Sequence, residues 1–411
     1  MSRFGLISDV GHVAASSPPD SAGAGRRWRR PERPRLPLPL IGTLSYAGIR
    51  VAGLAITAFA LQRGRFRKRH WSLAQWARAA DGGHYRTIAA HGYTYPAPEL
   101  AHAASYAWFP GYPAAMDSIA WLPGVTLAAA GLVVTGVAGL AAAWGITTLG
   151  MKLTADPRIS VLMVALWAMA PGSMVLSMVY AEALFCALAV WALVALLDRR
   201  WLTAAGLTLL AGTVRSTVVA LIAALTVAAL TALIQAARQR QPVASWWRPL
   251  AALVIAPLGL LGYLGYVALA THRLDGWFWV ENQRWHMSFD WGASMLRATQ
   301  GVFLDAPSVA QLLVVLAIIA AAALAVWSLT ERLPGYLHVY TVVVVVLALA
   351  TSANWVSSKP RFLLPAFLLA LPAARLLAPL RTSVLVPLLA LLVALSTWFG
   401  LYLLAIVGWS P

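Results

Sequence analysis

One acidic residue begins an unusual polar stretch in a very apolar chain. The stretch "DGGHYRTIAAHGY" covers residues 81–93, and Asp81 is followed by two glycines that leave its carboxylate unobstructed. His84, Tyr85 and Arg86 come next and supply hydrogen-bond donors around it. A carboxylate in such surroundings suits a general base that takes the proton of a hydroxyl. The basic neighbours suit an anionic leaving group such as a phosphate, so the stretch predicts a displacement reaction.

Other ionisable and polar side chains lie at the ends of apolar runs far along the chain. Ionisable groups within the apolar part of a membrane protein are costly, so each suggests a function until a partner is found. These further candidates for substrate binding are Glu182, Arg215, Gln283, Trp285, Lys359 and Arg361.

Several of these candidates also have a simpler interpretation. A structural role also explains Arg215: it could form a salt bridge with Glu182 or reach to the membrane surface. Glu182 fits the first turn of a helix, where the dipole favours an acid. Lys359 and Arg361 also fit an interfacial anchor. Trp285 belongs to a tryptophan group that suits either an interfacial belt or a sugar platform.

Cysteine and histidine usage limits the chemistry of cofactors. Cys186 is the only cysteine, so the sequence offers no intrachain disulfide and no thiol metal site. His84 and His91 are seven residues apart, but no compact set of ligands accompanies them. We therefore expect no cofactor and a reaction that needs no metal, with a divalent cation as the open alternative.

The composition predicts a polytopic membrane protein. Of the 411 residues, 60% are hydrophobic and only 11% are charged, against about 25% charged in an average soluble domain. The net charge of +17 would suggest nucleic acid in a soluble protein. Here it fits basic cytoplasmic loops facing anionic lipid, so we expect membrane lipids and no nucleic acid as partners.

The apolar runs predict ten membrane-spanning helices, or eleven if the shorter run 201–214 also crosses rather than forming a re-entrant helix. The ten runs are 37–61, 125–148, 159–178, 181–197, 216–236, 249–270, 309–329, 336–353, 361–379 and 383–407. Residues 1–36 are small, polar and basic and are predicted to be a disordered cytoplasmic arm before a single transmembrane domain, 37–411.

The distribution of basic loops predicts the orientation. With the N-terminus inside and 201–214 crossing, most basic loops fall on the cytoplasmic side, and only "RGRFRKRH", 63–70, disagrees. The inside residues are Lys152, Arg158, Arg199, Arg200, Arg238, Arg240, Arg248, Arg332 and Arg381. Two long loops, 62–124 and 271–308, then lie outside, and the candidate site residues gather on that same side.

Four further stretches complete a family resemblance that begins at Asp81. "DGGHYRTIAAHGY" followed by "AWFPGYP" (107–113) resembles the first-loop signature of PIG-V-like mannosyltransferases. The similarity continues in the family's order, although Ala80 and Trp108 stand where the family usually has Trp and Phe. The later matches are "VYAEALF" (179–185), "AGTVRSTVV" (211–219) and "RFLLPAFLL" (361–369).

This resemblance implies a GT-C-like bundle and a specific reaction. The implied activity moves a hexose, mannose in that family, from a polyprenyl-phosphate donor to a hydroxyl of a glycolipid, glycan or protein. The transfer would invert the anomeric carbon at the outer face of the cell membrane, with Asp81 as base and Tyr112 among the substrate-binding residues.

A transporter or lipid-linked sugar flippase is the alternative. That class predicts polar residues along the midplane of several spans. The candidate residues of this chain instead gather near one face, which favours the enzyme.

Overall fold

The chain is helical throughout the part that its structure describes. The computed structural model describes residues 37–63, 71–305 and 307–408, and these contain no β-strand, only an isolated bridge between Phe289 and Thr351. The predicted N-terminal arm 1–36 and most of the basic run 63–70 lie outside the described residues.

Six helices in the described residues are long and apolar enough to cross a membrane. A seventh crossing is present if the helix pair Val356–Phe362 and Phe367–Leu377, bent by 85°, is one span. The prediction of an all-α polytopic membrane protein is therefore confirmed. The six helices are Leu38–Arg63, Leu127–Thr154, Ser216–Arg238, Trp247–Thr271, Val309–Ser328 and Thr382–Ala405.

Four of the predicted spans are helices that are too short to cross a bilayer alone. They are Pro157–Ala168, Glu182–Leu197, Trp201–Gly212 and Gly335–Leu349, of 12, 16, 12 and 15 residues. At 1.5 Å per residue they cover roughly 18–24 Å, against a hydrocarbon core of about 30 Å. By helix length, the structure therefore has six or seven complete crossings instead of the ten or eleven predicted. The other four predicted spans are short helices.

Small residues allow the first span to pack closely against the longest helix. Gly139 of Leu127–Thr154 faces the ring of Tyr46, and Gly42 of Leu38–Arg63 faces Thr147. A side chain at either glycine would collide with its neighbour. This is the close backbone approach by which helices associate inside a bilayer, where burial of apolar surface alone gives little preference for a partner.

The two long loops are folded and contain helices of their own. Loop 62–124 contains Leu73–Ala77, Asp81–His91, Leu100–Ala103, the 3₁₀ turn Ala104–Ala107 and Gly111–Ala120. Loop 271–308 contains Gly276–Trp285 and Ala293–Leu304. Tyr263 of the preceding span donates its hydroxyl to the carbonyls of Tyr106 and Trp108, at 2.7 and 2.9 Å, and so fastens the first loop to the helical bundle.

Cysteine labelling tests the orientation of the chain. Ala90, Gln300 and Ala237 are exposed, whereas the native Cys186 is buried and gives little background. We expect Ala90→Cys and Gln300→Cys to react with a membrane-impermeant maleimide added outside, because both loops are predicted to be external. Ala237→Cys should react only after the membrane is permeabilised, and the reverse pattern would invert the orientation.

Candidate site of buried charges

Asp81 is the first residue of a helix rather than part of an open loop. Its backbone N–H donates to the hydroxyl of Tyr180 at 3.3 Å. Ala80 just before it has φ 52° and ψ −123°, a strained conformation for a residue with a side chain. Gly82 is needed for packing, because a Cβ there would lie 3.2 Å from the carbonyl oxygen of Val179. The local backbone thus holds Asp81 tightly against the segment that precedes Glu182.

The carboxylate of Asp81 forms an ion pair with a residue 280 positions later. Arg361 Nη1 lies 2.7 Å from Asp81 Oδ2, and the side chains are 9% and 20% exposed. The guanidinium of Arg361 also lies 5.2 Å from the ring centre of Tyr180. Gly172, at φ 83°, allows the neighbouring turn to contact the backbone of Arg361, where a Cβ would meet its nitrogen at 2.7 Å.

Two further charges extend this pair into what we call the charged cluster, defined as Asp81, Glu182, Arg215 and Arg361. Arg215 Nη1 contacts Glu182 Oε1, and Arg361 Nε lies 3.7 Å from the same oxygen. Glu182 is the first residue of helix Glu182–Leu197 and is only 1% exposed. The salt bridge between Arg215 and Glu182 that the sequence left open is therefore present, and acids and bases alternate through the cluster.

Hydrogen bonding within the charged cluster is incomplete. Within the described residues, both carboxylate oxygens of Glu182 and the Nε of Arg361 are buried without a hydrogen bond of good geometry, and of the two oxygens only Oε1 is in an ion pair. Buried polar groups usually have hydrogen-bond partners, because an unpaired one costs about 1–3 kcal/mol. The cluster therefore retains donors and acceptors that a polar ligand would satisfy.

Aromatic rings cover one side of the cluster. The His84 ring stacks on Trp108 with centroids 3.8 Å apart, and Trp285 meets both rings edge-on at 5.5 and 4.7 Å. His84 lies one helical turn after Asp81, so both side chains share a face. Partial burial lowers the pKa of His84 below its ordinary value of 6.5, which favours a neutral ring at neutral pH.

Some predicted site residues lie in the core beneath this face. Tyr85 is buried with its ring edge-on to that of Tyr112, 4.9 Å away, and burial raises the pKa of Tyr85 well above 10. The Tyr112 hydroxyl is bonded to Gly131 O and Thr135 Oγ1, so the hydroxyl is already satisfied within the protein. Arg86 donates to Gly82 O in its own helix. The structure thus gives these three residues positions that support the helix of Asp81.

Lys359 and Gln283 have different surroundings. Lys359 is buried, and its ammonium donates to the carbonyl and hydroxyl oxygens of Thr351 at 2.9 and 2.6 Å. It lies two residues before Arg361 on helix Lys359–Phe362. Gln283 is exposed on helix Gly276–Trp285 and is not brought to the charged cluster.

Arg50, a charged residue within the first span, has a clear set of contacts. It lies near the middle of helix Leu38–Arg63 and donates to Ala168 O at 2.9 Å and to the hydroxyls of Ser177 and Ser173 at 2.9 and 3.2 Å. Ala168 is the last residue of a short helix, so Arg50 satisfies a carbonyl that the helix end leaves open. Arg50 therefore supports the irregular segment 169–181 that leads to Glu182.

One cavity among the described residues lies away from the charged cluster. It measures about 590 Å³ and is lined by Ala89, Ala90, Asp117, Ser118, Ala120, Trp121, Val125 and Leu127, at the far end of the helix that Asp81 begins. Over the described part of the chain, no group of three or more His, Cys, Asp or Glu residues could hold a metal ion. The candidate site is therefore the charged cluster with the neighbouring rings of His84, Trp108 and Trp285.

Comparison with known proteins adds no family to this description. No protein-family model matches the chain, and a search of curated proteins finds no match either. The fold and the site therefore define a class, an all-α polytopic membrane protein with a buried cluster of alternating charges at the ends of its short helices.

Removing Arg215 should destabilise the protein because it leaves Glu182 buried beside a single cation. We expect Arg215→Ala to lower the free energy of unfolding by about 3–5 kcal/mol, the usual cost of breaking a buried ion pair from one side. The Glu182→Gln/Arg215→Gln double variant should be less destabilised, since it removes both charges. Thermal unfolding in detergent checks this order, and equal stability of Arg215→Ala and wild type would contradict the buried pair.

Proposed function

We propose that this protein is a GT-C-like membrane glycosyltransferase. It transfers a hexose, mannose in the first instance, from a polyprenyl-phosphate donor to an acceptor hydroxyl, with inversion. The observation that carries the proposal is the Asp81–Arg361 ion pair, in which a carboxylate and a guanidinium lie side by side at a helix start. The family resemblance supports mannose as the sugar and polyprenyl phosphate as the carrier.

The ion pair suggests how binding of the sugar donor frees Asp81 to act as the general base. Arginine binds phosphate through a planar set of donors, so a donor phosphate competes with Asp81 for the Arg361 guanidinium. Once the phosphate occupies those donors, the Asp81 carboxylate is free to accept a hydrogen bond from the acceptor hydroxyl. The base is therefore available when the donor is in place.

The reaction itself is a single displacement. The acceptor oxygen forms a bond to the anomeric carbon while its proton passes to Asp81. The bond between that carbon and the phosphate oxygen breaks, and its electron pair remains on the lipid phosphate, which Arg361 stabilises. Attack opposite the leaving group inverts the anomeric carbon, and an ionised phosphate needs no general acid.

Glu182 and Arg215 set the position of Arg361 in this proposal. The carboxylate of Glu182 is shared between Arg215 and Arg361, so its charge stays neutralised when the phosphate engages Arg361. Lys359 supplies a further positive charge nearby and shares the ring of Phe362 with Arg361, at 5.8 and 5.1 Å. These contacts favour an anion over a neutral ligand at the cluster.

The short helices explain why a lipid-linked donor fits. Glu182, Arg215 and Arg361 lie at or near the ends of Glu182–Leu197, Trp201–Gly212 and the first helix of the bent pair, and Asp81 begins the loop helix Asp81–His91. Helices of 12–16 residues end about 6–12 Å short of the bilayer thickness when their other ends reach a membrane surface. The phosphate of a membrane lipid therefore reaches the cluster while its chain stays in the bilayer.

In this proposal the protein lies in the cell membrane with its N-terminus in the cytoplasm, and transfer takes place at the outer face. A glycolipid, a glycan or a protein provides the acceptor hydroxyl. The multi-pass architecture is compatible with all three, because the first and second loops leave His84, Trp108 and the adjoining surface partly accessible.

A transfer assay in liposomes tests the function directly. The purified protein is supplied with labelled polyprenyl-phosphate mannose or glucose and a panel of acceptors, and the anomeric configuration of the product is measured by NMR. Transfer with inversion supports the proposal. Movement of the intact lipid-linked sugar across the bilayer without transfer would support the flippase alternative instead.

A further inference from the structure

A second acidic residue faces the site from the other long loop. Glu281 lies on helix Gly276–Trp285, between Trp277 and Trp285, at successive spacings of four residues. Side chains four apart lie on one face of a helix, so these three point the same way. Trp277 packs on Phe109, with ring centres 5.9 Å apart, and Trp285 packs on His84 and Trp108. The carboxyl between them therefore faces the first loop.

On this face Glu281 has no hydrogen-bond or ion-pair partner among the residues that the structure describes. Its side chain is half-buried, and within the described residues it forms no hydrogen bond and no ion pair. Asp81 and Arg215 are close enough to influence it electrostatically. A half-buried carboxyl beside aromatic rings and a charged cluster, with its hydrogen-bonding capacity unused, is suited to a polar ligand.

We propose that Glu281 binds a hydroxyl of the transferred sugar, with the rings of His84, Trp108 and Trp285 as the apolar wall of the same subsite. This proposal rests on the proposed glycosyl transfer and deepens it by assigning the sugar subsite. Sugars combine apolar C–H faces with hydroxyls that both donate and accept, and a protonated carboxyl can also do both. Glu281 thus holds the sugar while Asp81 acts on the acceptor.

The protonation state of Glu281 follows from its surroundings. Burial raises its pKa to about 8, and the negative charge of Asp81 acts in the same direction while Arg215 opposes it. Below that pKa the carboxyl is neutral and donates a hydrogen bond. Above that pKa the carboxylate can no longer donate a hydrogen bond. Its negative charge then also lies beside the phosphate of the bound sugar donor. Activity that depends on neutral Glu281 is therefore present at neutral pH and lost as the pH rises through about 8.

The other titratable groups around Glu281 lie on five elements. Tyr263 on the preceding span and Arg284 on its own helix are close, and His84 contacts Trp285. On the turn Ala104–Ala107 packed against this helix, Tyr106 donates its hydroxyl to Thr94 O, and on the short helix just before that turn His102 lies 3.8 Å from Glu99. A substitution at Glu281 itself separates its titration from theirs.

The pH profile of transfer tests the assignment. Initial rates are measured with polyprenyl-phosphate mannose from pH 6 to 10 for wild type, Glu281→Gln and Glu281→Ala. Wild-type kcat/KM should fall about tenfold per pH unit above the Glu281 pKa. Glu281→Gln remains neutral and keeps a donor and an acceptor, so it should retain most of the rate at pH 7 and lose the alkaline decline. Glu281→Ala should raise KM for the donor on the order of tenfold, the value of one hydrogen bond.

Glu99→Gln is the matched control, because Glu99 is an exposed acid of the first long loop and its loss should leave the wild-type profile intact. An unchanged alkaline decline in Glu281→Gln would overturn the assignment, as would a loss at pH 7 as large as that of Glu281→Ala. Both outcomes require a wild-type protein that transfers sugar. Absence of transfer by wild type at every pH would overturn the proposed function itself, and this assignment with it.

Discussion

Asp81→Asn should reduce turnover on the order of 10²-fold or more, the range expected when a general base is lost. Asparagine keeps the size and much of the hydrogen bonding of aspartate but cannot accept the proton of the acceptor hydroxyl. Asp81→Glu should also fail by about 10²-fold, because one added methylene moves the oxygens by about 1 Å. Initial rates of transfer from polyprenyl-phosphate mannose give the comparison.

The ion pair adds a stability effect to this prediction. Asp81→Asn weakens a partly buried contact with Arg361, so we expect the free energy of unfolding to fall by about 1–3 kcal/mol. Arg361 keeps its contact with Glu182, which limits the loss. Asp117→Asn is the control, since Asp117 is exposed on helix Gly111–Ala120 of the same loop. Wild-type turnover in a folded Asp81→Asn sample would remove Asp81 from the mechanism.

Arg361→Gln should have an effect on transfer of comparable size. Loss of a hydrogen-bond donor that stabilises a leaving group lowers the rate on the order of 10²–10³-fold. Arg361→Lys should lose less, because it keeps the charge but not the planar set of donors that matches a phosphate. Donor KM and kcat, measured for both variants, separate phosphate binding from stabilisation of the leaving group.

Stability measurements distinguish this role from a structural one. Arg361→Gln leaves Asp81 and Glu182 without the cation between them, which should destabilise the protein by about 3–5 kcal/mol. The Asp81→Asn/Arg361→Gln double variant removes both charges of this pair and should recover part of that stability, yet recover no activity. Arg375→Gln is the control, because Arg375 pairs with Glu331 at 3.0 Å outside the charged cluster. A fully active, folded Arg361→Gln protein would contradict phosphate binding.

The positions of the long helices could be predicted from the sequence alone. The apolar runs 37–61 and 309–329 correspond to Leu38–Arg63 and Val309–Ser328 within two residues. A run of about 20 apolar residues specifies a crossing helix because the bilayer offers no other partner for backbone polar groups. The position of such a helix can therefore be predicted from the composition of a short segment, without any knowledge of tertiary contacts.

The shape of the late apolar run 361–379 depended on more than hydropathy. The structure bends there by 85°, between Val356–Phe362 and Phe367–Leu377. Pro365 lies in the break, and since proline has no N–H to continue a helix, a bend is possible at this point. The buried Tyr340 hydroxyl donates to Pro365 O at 2.8 Å and satisfies the carbonyl there. The sequence contained the proline, but only the packed neighbour decided that the bend is stable.

The sequence by itself determined a polytopic helical membrane protein and the residue types of a candidate site. Only the tertiary structure decided which candidates meet: it joined Asp81 to Arg361 across 280 positions, placed Tyr112 in the core and left Gln283 in solvent. It also brought Glu281 to the first loop through the packing of Trp277 and Trp285. The physical reason is that hydropathy acts on each segment separately, whereas an ion pair depends on the packing of helices distant in the chain.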